Sequence, residues 1–142
     1  ITHLQAIVES VDLVDARIIM LETNDIKTTY NLTPNKIADH LSQTVEFIKN
    51  MQGLENNPKI LIACPPPVII PQTNDLDSRM IPGLEAFKVL PNLYKEVAQK
   101  HSCSFINAGD HISSSKIDGY HLDADGHLKL ARVFGEWVKG NV

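Results

Sequence analysis

Cysteine is scarce in this sequence, and with it anything that would mark a metal centre or a disulfide frame. Only Cys64 and Cys103 occur among 142 residues. Both sit in apolar, strand-like runs, and no Cys/His grouping has zinc spacing. They are expected to be free buried thiols, with no metal and no cofactor. Long hydrophobic runs are missing too, so no segment can span a bilayer, and no signal peptide is visible. Basic residues form neither stripe nor cluster, and the net charge is -4. That argues against a nucleic-acid footprint or a polybasic membrane surface. There is no internal repeat, linker or low-complexity stretch. The chain opens at Ile1, without methionine, in what reads as the middle of a helix. Upstream sequence is therefore expected to be missing. None of these absences fixes a compartment; the cytoplasm is the favoured expectation.

What is present suits one compact domain over residues 1–142, since 43% of the residues are hydrophobic, enough to build a core. A short helix begins the chain, capped by Thr2 and carrying Leu4, Ile7, Val8 and Val11 at helical spacing. Arg17 to Leu21 is a short β-branched run, expected as a central parallel strand covered on both faces. It opens into the polar turn Glu22-Thr23-Asn24-Asp25. Thr33-Pro34 reads as a cap followed by a first-turn proline, and Ile37, Leu41, Val45 and Ile48 form the stripe of a helix running to about Met51. Gly53 and Asn56-Asn57-Pro58 end it, and Lys59 to Cys64 is a second buried strand. Strand, helix and strand imply a right-handed βαβ unit.

Pro65-Pro66-Pro67 stops that strand, and a long loop to about Gly83 is expected to wall or cover a site. Leu84 to His101 is helical in composition, with a break or restart at Pro91, which would cost about 3 kcal/mol inside a helix. Ser104 to Ala108 is a third strand. The last helix, Ala124 to about Lys139, should present Leu128, Ala131, Phe134, Gly135 and Val138 on one face.

Between that strand and that helix stands Asp118-Gly119-Tyr120-His121. An Asp three residues before a His can curl back onto one imidazole nitrogen, leaving the other as a general base. Asp123 can cap the following helix and anchor the loop. Alone, Asp-x-x-His is a weak motif and is better read as an ordinary surface loop with a capping Asp and a chance His. Convergence strengthens it. In a parallel sheet ligands bind at the strands' carboxyl edge, and Asn24, the triple proline, and Asp118 with His121 each follow a different strand.

Thr23-Asn24-Asp25 after one strand, Cys64-Pro65-Pro66-Pro67 after the next and Asp118-Gly119-Tyr120-His121-Leu122 before a final helix resemble the later sequence blocks of the SGNH hydrolases, also called GDSL esterases and lipases. The resemblance covers essentially the whole chain but only the latter part of the family's domain. It implies an α/β fold, a three-layer α/β/α sandwich with a flavodoxin-like parallel sheet, incomplete at its amino terminus. It also implies hydrolysis or transfer of acyl groups on small esters or acylated substrates. By it, Asn24 donates to the oxyanion, and Asp118 and His121 are the acid and base of a triad.

The sequence departs from that pattern twice. The blocks supplying the nucleophilic serine and an oxyanion-hole glycine are absent. Ser10, Ser42, Ser78, Ser102, Ser104 and Ser113 to Ser115 all lack the Gly-Asp setting, and a polar loop explains Ser113 to Ser115 better than a nucleophile does. Glu22 stands where the family usually has glycine, two residues from Asn24, and its charge would oppose an oxyanion. His127 reads as a surface or packing residue; His3, His40, His101 and His111 share no spacing. Tyr94 and Trp137 read as core or interface anchors, and Asp25 and Lys27 as turn residues.

The expectation is an acyl-ester hydrolase that this chain alone cannot complete. An exposed sheet edge should make it pair with its missing segment, form a homo-oligomer or be only marginally stable. The alternative is a non-catalytic SGNH-like domain that binds a carbohydrate or a protein partner.

Overall fold

The structure is a computed structural model that describes residues 14–21, 23–51 and 57–142. Three parallel strands, β1 (Ala16–Ile19), β2 (Lys59–Cys64) and β3 (Ser104–Asn107), lie in the order β1-β2-β3. Ala16 pairs with Lys59, and Leu61 with Ser104. Among the described residues four helices accompany them: α1 (Pro34–Asn50), α2 (Ile81–Ala86), α3 (Leu90–Lys100) and α4 (Ala124–Asn141). The fold is α/β.

Helix α1 forms where its sequence directs. Thr33 accepts the Lys36 N–H, Pro34 fills the first turn, and Lys49 sits in the last turn, where a cation complements the helix dipole. Ile37, Leu41, Val45 and Ile48 are buried against the sheet and α3, each contributing about 1.5–3 kcal/mol by area burial. Pro91 marks the expected restart, since α2 ends at Ala86 and α3 begins at Leu90. It lies in the first turn of α3, where its missing N–H has no helical partner to lose, and Pro82 does the same for α2. The long loop therefore ends sooner than expected, in a 3-10 turn at Ser78–Met80 that runs into α2.

Strand residues divide by alternation. Ile60, Ile62 and Cys64 join Ile19 in the core under α1 and α3, so Leu61 and Ala63, also fully buried, face the other way. On that second side Leu130 of α4 packs with Ala108 and Ile112, and Met20, Leu122 and Phe134 close around them. Helices on both faces of the sheet make three layers.

Two expectations are corrected. Among the described residues β1 is an edge strand and not a central one, and Ile18 is 38% exposed. An apolar run reports burial tendency but not strand order. In α4 the inward line is Gly126 and Leu130, with Phe134, Trp137 and Val138 half-buried, whereas Leu128 is 52% exposed and Ala131 is exposed. The helix phase is set at its start, where Asp123 takes the Gly126 N–H and Gly126 tucks in beside Leu122. The expected helix after Thr2 and the Gly53 stop lie outside the described residues.

Candidate active site

All three strands point their carboxyl ends to one edge, and the candidate residues leave from there. After β1, Thr23–Ile26 forms a 3-10 turn that carries Asn24, whose side chain is exposed. Three contacts fix this turn. The Tyr94 hydroxyl of α3 donates to the Leu21 carbonyl at 3.0 Å. The Thr28 N–H donates to the Arg79 carbonyl at 3.0 Å. The Ile26 side chain is buried so close to Gly83 that a Cβ there would come within 2.5 Å of its Cδ1. Glu22 lies outside the described residues.

After β2, the proline run leads into a segment strapped to the loop after β3. Ser114 donates its hydroxyl to the Pro67 carbonyl at 2.7 Å. The Ile69 N–H donates to the Gly119 carbonyl, and the Gln72 N–H to that of Lys116, both at 2.9 Å. Gly119 sits at φ +87, and a Cβ there would collide with the Ile69 carbonyl oxygen. Only glycine combines that backbone with so close a neighbour. The loop is braced internally as well: Ser115 N–H donates to the His121 carbonyl at 2.7 Å and Gly119 N–H to the Ser115 carbonyl at 2.8 Å.

Within this frame Asp118 Oδ2 lies 2.6 Å from His121 Nδ1. Partial burial pushes the Asp118 carboxyl up, but hydrogen bonds from the His121 ring and from the His121 and Tyr120 N–H groups outweigh it, and the group titrates below the usual aspartate range. The imidazole is open: its side chain is 70% exposed, against 33% for Asp118. The Tyr120 ring flanks it, with centroids 4.4 Å apart and planes tilted by 47°. With Nδ1–H held by the carboxylate, Nε2 has a free lone pair, and a proton arriving there produces an imidazolium that Asp118 supports.

Other candidate groups are less suited to chemistry. Burial, with Asp110 adding to it, pushes the Cys64 thiol up to about 12, and burial also raises Cys103 against the pull of Lys49. Neither is a ready thiolate. Ser114 and Ser115 are buried in structural hydrogen bonds, Ser115 Oγ accepting from the Ile117 N–H at 3.1 Å. His127 is exposed on α4. Among the described residues no three His, Cys, Asp or Glu side chains gather as metal ligands would, and no helix is long and apolar enough to cross a membrane.

Asp118, His121 and the Asp123 cap stood out in the sequence because an acid, an imidazole and a helix start fall close together. Tyr94, Arg79 and Ser114 did not. Tyr94 and Ser114 donate to backbone carbonyls 73 and 47 residues away, and the Arg79 carbonyl accepts an N–H 51 residues away; no local pattern reports such contacts. Arg79 is itself anchored by its guanidinium on Asp77, which holds that carboxyl down to about 2.

No protein-family model matches the sequence, and no curated relative does. Solved structures do. A carbohydrate acetylesterase from Sinorhizobium meliloti is 33% identical, with a TM-score of 0.87 over 98% of this chain. The aryl esterase of M. smegmatis is 26% identical with a TM-score of 0.87 over 99% of it. A carbohydrate acetylesterase family member from Sinorhizobium meliloti is 25% identical with a TM-score of 0.88 over 96% of it. This chain spans 66%, 67% and 65% of those chains respectively.

Proposed function

We propose that this chain, an SGNH-type hydrolase by its fold and its esterase neighbours, carries the acid–base and oxyanion part of an acyl-ester hydrolase. The observation behind the reading is the Asp118–His121 pair, built into a braced loop with Nε2 open to solvent. In the reaction, His121 takes the proton of a serine hydroxyl supplied by a Gly-Asp-Ser segment, and the serine oxygen attacks the acyl carbon. Asp118 steadies the imidazolium, and the Asn24 amide donates to the oxyanion. The tetrahedral intermediate collapses, and His121 returns the proton to the leaving alcohol. Water repeats the sequence on the acyl-serine.

Support for the Asn24 role comes from the straps. The 65–83 segment is bonded to the His121 loop by Ile69 and Gln72 and to the chain after Asn24 by Arg79. Short acyl esters, on a sugar or an aromatic alcohol, are the proposed substrates, given what the neighbours are named for. Among the described residues β1 is paired on one side alone, which suits pairing with a further segment or a second copy.

The test is hydrolysis of p-nitrophenyl acetate. Residues 1–142 alone should show no turnover that a His121→Ala control lacks, whereas the chain joined to a Gly-Asp-Ser segment should hydrolyse the ester and lose that activity with His121→Ala. Glu22→Gly in the joined form should raise kcat if its carboxylate opposes the oxyanion. An inactive joined form that still folds would favour the non-catalytic binding domain instead.

A further inference from the structure

Away from that edge, a second serine stands against a histidine. Ser42 projects from the middle of α1, and its Oγ lies 2.8 Å from Nε2 of His101, the residue that ends α3. Lys100 donates to the same Oγ at 3.0 Å. An ammonium can only donate, so it occupies a lone pair of Oγ, and in the Nδ1–H tautomer of His101 the Ser42 O–H donates to Nε2. His101 is held in place through its carbonyl, which accepts from Lys49 at 2.6 Å. Burial, then Lys100 and Lys49, disfavour the imidazolium against the pull of Glu46, so the ring stays a neutral acceptor to lower pH than an ordinary histidine. Ser42 is buried but not sealed. It borders a cleft of about 410 Å3, whose other polar walls are Asn35, Asp39, Glu96 and Lys100.

A helix-to-helix staple needs only one hydrogen bond. Here the hydroxyl and the cation on its oxygen line a cleft, and a neutral imidazole backs that hydroxyl within hydrogen-bond reach, which is the arrangement that activates a serine. We propose that Ser42 is a second acyl-accepting nucleophile, with His101 as its base and Lys100 as the cation beside the developing oxyanion, and that its acyl donors are small, neutral, activated esters. Oγ bonds to the acyl carbon while the Ser42 proton passes to His101 Nε2. The tetrahedral adduct then breaks its bond to the leaving phenolate or alkoxide, which takes the proton from His101, giving acyl-Ser42 and a free phenol or alcohol. Asp39 and Glu96 on the cleft wall disfavour anionic donors.

A fluorophosphonate probe, from which the serine oxygen displaces fluoride, tests this on the folded 142-residue chain. Peptide mapping by mass spectrometry should place a single adduct on Ser42, unchanged by His121→Ala. The labelling rate should fall about 100-fold in His101→Gln, which retains a polar group but not the base. Ser42→Ala, verified as folded by circular dichroism, should take no label. A folded wild-type chain unlabelled at Ser42, or an adduct at Ser113 to Ser115 in its place, would overturn the proposal. So would an unchanged rate in His101→Gln. The test does not involve the Asp118–His121 pair and is independent of the function proposed for it.

Discussion

Asp118 makes two kinds of contact with His121 at once. Its Oδ2 meets the ring at Nδ1, and its Oδ1 accepts the backbone N–H of His121, and that of Tyr120, at 3.1 Å. One carboxylate therefore shapes the loop and aims the ring it serves.

Asp118→Asn should separate those duties. The amide oxygen can still accept the backbone donors, but its NH2 would face Nδ1 and drive the proton to Nε2. Imidazole 15N shifts of the chain should then report Nε2 as the protonated nitrogen. In the chain joined to a Gly-Asp-Ser segment, kcat on p-nitrophenyl acetate should fall about 10²–10⁴-fold. Unchanged tautomer populations would show that the pair does not set the ring.

The pH dependence of stability follows from the Asp118 carboxyl titrating below its ordinary value of 3.8. A depressed folded pKa means the unfolded chain binds the proton more readily, so the contribution is complete above that value and is lost as pH falls through the lower, folded one. Urea midpoints measured from pH 7 down to pH 2 should show this acid loss. Asp118→Asn should remove part of it and leave the slope near neutrality unchanged.

Gly119→Ala should destabilise the domain by about 1–3 kcal/mol in urea unfolding, because alanine is strained at positive φ and its Cβ meets the Ile69 carbonyl. The same change should shift the His121 amide and ring resonances, since Ile69 and Gly119 form one of the straps holding this loop. A loss under 0.5 kcal/mol would indicate that the loop relaxes freely.

Two leucines predicted from sequence to face the core should behave oppositely. Leu41→Ala, at a fully buried position under α3, should cost about 2–5 kcal/mol. Leu128→Ala, on the exposed side of α4, should fall within about 0.5 kcal/mol of zero. Chemical denaturation of both variants decides it.

Tyr94→Phe should lose the O–H to the Leu21 carbonyl and about 0.5–1.5 kcal/mol with it. Because that bond holds the chain just before the Asn24 turn, kcat of the joined form should drop more than KM rises. A purely structural tyrosine would change the melting point and leave the KM-to-kcat split alone.

Features decided by neighbours in the chain were legible in the sequence. The Thr33 cap with Pro34, the i to i+4 stripe of α1, the restart at Pro91, the β2 run, the Asp123 cap and the Asp118–His121 pair all rest on contacts spanning a few residues. Short-range hydrogen bonds and helical or strand periodicity fix such features wherever the chain goes. Strand order, helix phase and the remote straps needed the fold. β1 looked central because an apolar run is the same on an edge, and α4 has apolar residues on more than one face, so only its docking at Ala108 and Ile112 chose Leu130 over Leu128. Ser42 and His101 had no visible relation, 59 residues apart. What brought them together was the packing of α1 on α3, a free-energy balance of burial over both helices that neither residue encodes.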